Sequence, residues 1–376
     1  MTLAADGSVD FEALAELRRQ GGVCPLGSGG WLVVGHDALV EALKDVGSFR
    51  ADLSFGVPDI PDELLFLSEI PEPRHGRVRR IYNAQLGPHR LAEAEPFIRA
   101  LCTGLLDRLV SGHEVDLVAG YTSQIPSGVI AHVIGVPAED ADRFVAWSND
   151  GLMLGRDAET PFLTYISHLM AVRRAMADPP DDVIGALLAA EVEGAPLSDA
   201  EIRTQIQFIV ASAVDTTRKL LANLLSWLLF HPDLYRRLRV DRALVPVAVE
   251  ETLRLLAPVQ TVPRKCTRPT ELDGVDIAPG QVVMIGIGSA NRDERVFEDP
   301  DRFSLDRPNP RNHVGFGAGP HICPGASLAR LEATVAMELF VDRVAELQPV
   351  PGATYEPVPT PELKLPRALR ARLVPA

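Results

Sequence analysis

The sequence contains few cysteines, and they are widely separated. Four occur in 376 residues, at positions 24, 102, 266 and 323, and no two of them form a C-x-x-C pair. A zinc cluster and a disulfide framework both need cysteines at short, recurring spacings. The sequence therefore argues against both kinds of site and favours a protein of a reducing compartment.

The chain also lacks an excess of positive charge. It has 37 Lys and Arg residues against 51 Asp and Glu residues, for a net charge of −14 at pH 7. That balance argues against a general role in binding nucleic acid or anionic membranes. Residues 1–19 contain no long apolar run, so we expect neither a signal peptide nor a membrane anchor. The expected location is the cytoplasm.

Neither an internal repeat nor a low-complexity tract interrupts the chain. Helical patterns dominate residues 91–229, whereas WLVVG at 31–35 and the β-branched segments after Pro258 are typical of strands and hairpins. Residues 49–73 are rich in proline and apolar side chains without a sustained period, which indicates a long apolar loop. The pattern predicts a mainly α-helical protein with a small β region.

The segment 313–332, HVGFGAGPHICPGASLARLE, combines glycines, a histidine and a cysteine with the start of a helical pattern. Gly317 and Gly319 allow sharp turns, and Pro324 suits the first residue of a helix. Apolar residues then follow at helical spacings, at Leu328, Leu331, Val335 and Leu339. Cys323 would lie at the helix N-terminus, where the dipole favours a thiolate that acts as nucleophile or metal ligand. The alternative is a small buried apolar residue.

A second unusual segment, residues 198–230, is apolar on nearly all sides, which is typical of a helix at the centre of a large protein. Its middle carries Asp215 and Thr216. Because a buried carboxylate is costly, one interpretation is a proton-delivery pair that faces a reaction centre. The alternative is that Thr216 hydrogen-bonds to the preceding turn of its own helix.

Two further pairs occur at helical spacings. His75 and Arg79 are four residues apart, and Glu251 and Arg254 are three apart, so each pair shares a helix face. Each pair alone is weak evidence, because solvated basic helices and surface ion pairs are common.

The order of these features resembles that of the cytochromes P-450, the heme-thiolate monooxygenases, in their soluble bacterial form. The family's F-G-x-G-x-H-x-C-x-G signature is matched at every defined position, by Phe316, Gly317, Gly319, His321, Cys323 and Gly325. Glu251 and Arg254 resemble the family's E-x-x-R pair, and Arg302 resembles the arginine that completes a structural triad with them. The resemblance extends from about Trp31 to Leu365.

The resemblance implies a single domain over residues 1–376, with the cytochrome P-450 fold and a long central helix over the heme. Its helical core would comprise residues 70–258 and 324–346. Its β-containing segments would be residues 27–60 and 259–312.

By resemblance, the cofactor is heme b and Cys323 is the thiolate ligand of its iron. Arg79 and Arg264 would bind the heme propionates, with His75 or His321 as further donors. The remaining cofactor-binding residues of the signature are Phe316, Gly317 and Gly325.

Asp215 and Thr216 resemble the family's acid and alcohol, in which the acid relays protons from solvent and the hydroxyl organises water. The family usually has alanine or glycine, then glycine, ahead of this acid, whereas this chain has Ser212 and Ala213. We expect Ala213 to narrow the notch that oxygen and water would use, and Ser212 to offer an extra hydrogen bond.

The implied reaction inserts one oxygen atom from dioxygen into a hydrophobic small molecule such as a terpenoid, polyketide or steroid. The protein would be a monomer that takes electrons from a ferredoxin or flavodoxin with its NAD(P)H-dependent reductase. Arg74, Arg77 and Arg80 would attract an acidic donor. The expected substrate pocket is mainly apolar, and its residues are Phe66, Leu67, Phe208, Ala211, Val214, Val259, Gln260 and Thr261.

Two other functions stay open. A peroxide-dependent heme-thiolate oxygenase would usually replace the acid and alcohol by residues that bind a substrate carboxylate, so Asp215 and Thr216 argue against it. A non-catalytic heme-binding sensor would show ligand-induced changes in its optical spectrum without turnover.

Overall fold

Helices make up most of the architecture. The computed structural model describes residues 10–27, 29–51, 60–110, 113–149, 160–353 and 366–376. The α-helices in these ranges are α1 (Phe11–Gln20), α2 (His36–Lys44), α3 (Arg74–Gln85), α4 (Pro88–Leu109), α5 (Gln124–Ile134), α6 (Ala141–Asn149), α7 (Pro161–Arg174), α8 (Val183–Ala189), α9 (Asp199–Phe230), α10 (Pro232–Val240), α11 (Leu244–Leu255), α12 (Ile287–Ala290) and α13 (Ala326–Arg343).

The strands are short and form small sheets. They are β1 (Val23–Pro25), β2 (Trp31–Val33), β3 (Phe49–Arg50), β4 (Glu114–Asp116), β5 (Glu191–Val192), β6 (Ala195–Pro196), β7 (Val262–Cys266), β8 (Thr270–Leu272), β9 (Val275–Ile277), β10 (Val282–Ile285), β11 (Val344–Pro349) and β12 (Arg370–Pro375). One sheet has five strands in the order β1-β2-β10-β7-β3, and another has three in the order β11-β12-β4. The remaining pairs are β5 with β6 and β8 with β9.

The five-stranded sheet joins the two parts of the chain that the sequence predicts to be β-rich. β2 runs parallel to β10, with Trp31 opposite Val283, and β3 runs antiparallel to β7, with Phe49 opposite Cys266. Strands β1, β4, β5, β6, β11 and β12 lie outside the predicted β segments. They are two to six residues long, and β12 pairs with the distant β4, so local periodicity contains little signal for them. Residues 52–59 of the predicted apolar loop lie outside the described residues.

The long predicted helix is observed as α9, and its start is set by a capping box. The hydroxyl of Ser198 accepts from the amide of Glu201 at 3.1 Å, and the Glu201 carboxylate accepts from the amide of Ser198 at 2.8 Å. Residues 219–226 of α9 are all buried, because α5, α11 and α13 pack against the helix. Across the described ranges, no helix combines the length and hydropathy that crossing a membrane requires.

Candidate active site

A cavity of about 290 Å³ lies where α3, α9, β7 and the loop before α13 meet. Most of its wall is apolar. Its polar lining residues are Ser68, His75, Arg79, Tyr82, Ser212, Thr216, Thr217, Arg264, His321, Cys323 and Glu332. The cysteine, both histidines and both arginines that the sequence assigns to a cofactor therefore meet in one place.

Cys323 reaches this cavity from a turn-rich loop. Gly317 and Gly319 have positive φ angles of 75° and 69°, which residues with a Cβ rarely adopt. A Cβ at Gly319 would also lie 2.5 Å from the carbonyl oxygen of Leu43. The amide of Cys323 donates to the carbonyl of Phe316 at 2.9 Å. The loop thus closes on itself and presents the sulfur to the cavity.

The start of the following helix differs from the prediction. α13 begins at Ala326, and Pro324 and Gly325 form a turn before it. The prediction that Pro324 is the first helical residue is therefore wrong by two positions. Cys323 therefore lies before the two-residue turn that precedes α13, and not in the first turn of the helix.

The protonation of Cys323 also differs from what a helix N-terminus alone predicts. Burial raises the pKa of the Cys323 thiol, while the amide of Gly325 and the positive charges of Arg79 and Arg330 act to lower it. Burial outweighs the other contributions, since it disfavours the charged form. A metal cation bound to the sulfur would reverse that balance, because coordination deprotonates a thiol.

Two histidines that line the cavity each have a buried ring nitrogen without a hydrogen-bond partner among the described residues. His75, on α3, is 1% exposed, and its ring centroid lies 4.0 Å from that of His321. Its Nδ1 lies 2.8 Å from the carboxylate of Glu72, whereas no described residue hydrogen-bonds to its buried Nε2 or to the buried Nδ1 of His321. Burial lowers the pKa of His321 to about 4, so this ring is neutral at pH 7. Buried polar atoms without partners are rare in folded proteins, so these two nitrogens are suited to hydrogen-bond a ligand in the cavity.

Two arginines lie beside the histidines. Arg264, on β7, is 8% exposed and donates to the carbonyl of Pro263 at 2.8 Å. Burial lowers its pKa to about 10. Arg79, on α3, donates to the carbonyl of Ile322. Neither guanidinium forms an ion pair with a carboxylate of the described residues, so both are available to an anionic ligand.

These residues fit heme. The two guanidinium groups of Arg79 and Arg264, with the orphaned nitrogens of His75 and His321, match the two carboxylates of a porphyrin edge. The Cys323 sulfur lies on the same cavity, whose apolar wall suits a porphyrin face.

Glu250, which the sequence reasoning overlooked, connects the cysteine loop to α11 and α13. It accepts from Arg330 at 2.6 and 3.0 Å and lies 2.8 Å from Nε2 of His313 at the start of the loop. Burial alone would raise its pKa, but the hydrogen bonds from His313 and Arg330 lower the pKa to about 2. The signal in the sequence is the adjacent pair of acids, Glu250 and Glu251, of which the E-x-x-R pattern uses only the second.

The arginine that completes the structural triad is Arg307. Glu251 and Arg254 pair at 2.8 Å, both fully buried, and Nε of Arg307 lies 2.9 Å from each carboxylate oxygen of Glu251. Arg302 is exposed and offers its main-chain carbonyl, which accepts from Arg254 and from Arg307. The prediction of Arg302 is therefore wrong. Residues 298–309 are irregular, so sequence spacing cannot tell which guanidinium turns inward.

The acid and the alcohol of α9 point in different directions. Thr216 and Ser212 line the cavity, and Oγ1 of Thr216 donates to the carbonyl of Ser212 at 2.7 Å. The within-helix hydrogen bond left open as an alternative is thus present, and the Thr216 oxygen keeps its acceptor capacity. Asp215 is not part of the lining; its side chain is 43% exposed and pairs with Arg218 and Lys219.

The predicted pocket residues divide into two groups. Leu67, Phe208 and Val259 line the cavity. Phe66 lies behind Phe208, with ring centroids 5.4 Å apart, and is not part of the lining. The other predicted residues that do not line the cavity are Ala211, Val214, Gln260 and Thr261.

The errors follow from helix phase and from a local hydrogen bond. Ile209, Ser212, Ala213 and Thr216 face the cavity, so positions between them on α9 face elsewhere. The amide of Gln260 donates to the carbonyl of its neighbour Ala257 at 2.7 Å. Lining residues that were not predicted as pocket residues include Ser68, Ile209, Val262 and Ile287. The hydroxyl groups of the cavity wall therefore come from residues such as Ser68, Ser212 and Thr216, and Gln260 and Thr261 contribute nothing to it.

The basic cluster of α3 is partly neutralised. Arg74 pairs with Glu193 at 2.8 Å and also with Glu201. Arg77 pairs with Glu193 at 2.9 Å, while Arg80 is exposed. Because two of the three cations are already paired, this surface attracts an acidic electron donor less than the sequence suggests.

Glu332 is a buried carboxyl that the sequence reasoning did not consider. It lies on α13, lines the cavity and is 2% exposed. Its Oε2 is buried and has no hydrogen-bond partner in the described part of the chain. Burial raises its pKa to about 8, so the group is mainly protonated at pH 7.

We expect Glu332→Gln to flatten the dependence of stability on pH. Folded Glu332 keeps its proton up to about pH 8, whereas an unfolded glutamate loses it above about pH 4.3. Stability from this raised pKa is full below the unfolded pKa and is lost as pH rises toward 8. At pH 8 the variant should gain about 5 kcal/mol in free energy of unfolding, and almost nothing near pH 4.3.

Urea unfolding of the heme-loaded protein across this pH interval measures the effect. Glu338→Gln is the matched control, because Glu338 lies on the same helix and pairs with Arg99 at 3.0 Å outside the cavity. It should keep the slope of the wild-type protein. Equal slopes in wild type and Glu332→Gln would contradict the prediction.

Comparison with known proteins identifies the family. The family model described as Cytochrome P450 matches residues 155–362. Cytochrome P450(MEG) of Priestia megaterium is 32% identical over 353 residues, which cover 88% of this chain and 85% of that protein. The steroid C26-monooxygenase of Mycobacterium tuberculosis (strain CDC 1551 / Oshkosh) is 34% identical over 338 residues, which cover 87% of this chain and 88% of that protein.

Solved structures agree over almost the whole chain. Cytochrome P450 CYP109Q5 from Chondromyces apiculatus has a TM-score of 0.88 at 31% identity and covers 99% of both chains. The corticosterone complex of CYP109E1 from Bacillus megaterium has a TM-score of 0.86 at 28% identity, over 96% of this chain and 98% of that one. The mainly α-helical fold with a central helix is thereby confirmed, and so is heme with a cysteine thiolate ligand as the cofactor. The chain belongs to the cytochrome P450 family and is a heme-thiolate monooxygenase.

Proposed function

We propose that this enzyme oxidises a lipophilic small molecule of steroid, terpenoid or polyketide type. The observation that carries the proposal is the composition of the cavity wall. The wall is mainly apolar, and its serine hydroxyls are those of Ser68 and Ser212. Such a wall suits a large hydrophobic molecule with one or two oxygenated groups. Two relatives support this class, since one is named a steroid C26-monooxygenase and one solved structure contains corticosterone.

The cofactor roles that we propose follow from the contacts of the site. Cys323 provides the thiolate, and Arg79, Arg264, His75 and His321 hold the propionates. Heme with a thiolate ligand, when bound, supplies the activation of dioxygen and the transfer of one oxygen atom. The position of the Cys323 sulfur is restricted by the loop. The loop is fixed by its glycine turns and by the hydrogen bond from the Cys323 amide to the Phe316 carbonyl.

Asp215 and Thr216 are the residues that we propose for proton delivery. Thr216 lies on the cavity face of α9, where its oxygen can accept a hydrogen bond from a water molecule. Asp215 is adjacent in sequence and 43% exposed, so it can exchange protons with solvent. The pair thus spans the distance between solvent and the cavity.

Electrons would come from a ferredoxin or flavodoxin with its NAD(P)H-dependent reductase. We further propose a single-domain monomer, because the five-stranded sheet joins the first strands of the chain to β7 and β10, and few large apolar side chains of the described residues are exposed. A reducing, cytoplasmic location fits four cysteines that are all free thiols.

The decisive experiment has two steps. Steroids, terpenoids and polyketides are first screened for a shift of the ferric heme spectrum, and the compounds that shift it are then incubated with a ferredoxin system and dioxygen. We expect a product that contains one added oxygen atom. Spectral shifts without any product under these conditions would favour a sensor, and product formed with hydrogen peroxide but not with the ferredoxin system would favour a peroxide-dependent oxygenase.

Thr216→Ala is expected to lower the amount of product per electron pair by about tenfold while substrate still binds, because a proton-transfer group is lost. The measurement compares product with consumed NAD(P)H. Thr252→Ala is the matched control. Thr252 makes the same within-helix hydrogen bond, to the carbonyl of Ala248 at 2.7 Å, but lies outside the cavity lining. Unchanged product yield in Thr216→Ala would exclude the proposed role of Thr216.

A further inference from the structure

Lys219 is a buried ammonium group in the middle of α9. Its side chain is 3% exposed, and its salt-bridge partner is the carboxylate of Asp215, one helical turn earlier. Arg218, which also pairs with Asp215, is less buried, at 22% exposed. A buried charge is costly unless it is paired, so the position of Lys219 in the fold depends on the carboxylate of Asp215. The position of the Asp215 carboxylate depends in turn on the Lys219 ammonium, because the two groups form a salt bridge.

The direction in which Asp215 is held matters for its function. The residues of this part of α9 that line the cavity are Ser212, Ala213, Thr216, Thr217 and Leu220. Asp215 and Lys219 are four residues apart and share a face of the helix that is not part of this lining. Successive residues differ by about 100° around a helix. Asp215 is therefore turned away from the cavity toward solvent, while its neighbour Thr216 faces inward.

We propose that Lys219 is a positioning residue that holds the carboxylate of Asp215 on the solvent side of α9, where it can exchange protons with water. The proposal rests on the proton-delivery role proposed for Asp215. In the step that follows, a hydronium ion of the solvent gives a proton to a carboxylate oxygen of Asp215 and becomes water. Protonation removes the charge that pairs with Lys219, so the neutral acid is released from the ammonium. The acid then gives its proton to the water held at Thr216 while that water gives one of its own protons into the cavity, and Asp215 returns to Lys219 as a carboxylate.

The charged groups around Lys219 agree with this role. Burial lowers the pKa of the Lys219 ammonium, and the nearby positive charge of Arg218 acts in the same direction, while Asp215 raises it. Asp215 is thus the interaction that keeps Lys219 charged. When Asp215 loses its charge, its attraction to the Lys219 ammonium becomes weaker. The proposal requires this release of the protonated acid.

The first test is a double-mutant cycle on the heme-loaded enzyme, which measures stability and not activity. Asp215→Asn leaves the Lys219 ammonium buried and unpaired, and should reduce the ratio of folded to unfolded protein by at least about tenfold in urea. Lys219→Met in the Asp215→Asn background should restore most of that loss, because the unpaired charge is gone. Arg218→Gln is the control and should restore little. Additive effects of Asp215→Asn and Lys219→Met would overturn the proposal.

The second test separates this inference from the proposed function. Lys219→Met should lower product per electron pair severalfold and raise the solvent isotope effect on turnover, with unchanged affinity in the ferric spectral titration. Lys219→Arg should preserve both values, since it keeps the positive charge, and Arg218→Gln should stay close to wild type. If Asp215→Asn lowers the yield and Lys219→Met does not, the role of Lys219 is overturned and that of Asp215 stands. If Asp215→Asn leaves the yield unchanged, both are overturned.

Discussion

Replacing Cys323 by serine is expected to remove the thiolate-type absorption from the reduced carbon monoxide complex and to lower oxidation of any substrate by at least about 100-fold, because the hydroxyl donates far less electron density than a thiolate. Serine has nearly the shape of cysteine, and the loop around position 323 is closed by main-chain hydrogen bonds that do not involve the sulfur. The loop should therefore keep its conformation, and the loss reports on the ligand itself.

Cys102→Ser is the matched control for this experiment. Cys102 is fully buried on α4, away from the cavity lining, and burial raises the pKa of its thiol to about 12. The control should keep both the absorption and the activity of the wild-type enzyme. A Cys323→Ser protein that retained the thiolate-type spectrum would show that another sulfur is the ligand.

The second large effect concerns the triad. Arg307→Met is expected to lower the free energy of unfolding by about 3–5 kcal/mol, because it removes one partner of a buried ion pair. Glu251 is fully buried, and it pairs with both Arg307 and Arg254. The Arg307 guanidinium also donates to the carbonyls of Glu298 and Arg302, so its loss removes these hydrogen bonds and leaves the buried Glu251 with Arg254 as its remaining arginine partner.

Arg302→Met is the matched control, since the same residue types are exchanged five positions away. Its side chain is exposed and its contribution to the triad is a carbonyl, which the substitution keeps. We expect a change within about 0.5 kcal/mol. Urea unfolding of both variants in the heme-loaded state decides the assignment. Equal losses in the two variants would mean that the triad is not organised around Arg307.

Local signals were sufficient for the elements that lie close together in sequence. The capping box at Ser198 and Glu201 starts α9 one residue after the predicted beginning, because both halves of a capping box lie within one turn. The glycines of the cysteine loop have the positive φ angles that their type suggests. The four-residue spacing of His75 and Arg79 places both on the cavity, because α3 has the regular period of a helix.

Long-range contacts account for what the sequence reasoning missed. Three outcomes depend on which side chains turn inward where irregular segments meet α11. They are the choice of Arg307 over Arg302, the role of Glu250 and the absence of Gln260 from the cavity wall. The pairing of β12 with β4, at Ala371 opposite Val115, likewise joins distant parts of the chain. No local period encodes such contacts, because they are chosen by burial against remote segments.

The sequence by itself determined the glycine turns around Cys323 and the long apolar helix, since each depends on neighbours within a turn or two. The tertiary structure decided which of their residues share one cavity and which face they present. Thr216 and Asp215 are adjacent in sequence, yet one lines the cavity and the other is held by Lys219 on another face. The physical reason is that a helix rotates by about 100° per residue, and only the packing around α9 determines which side meets the cavity.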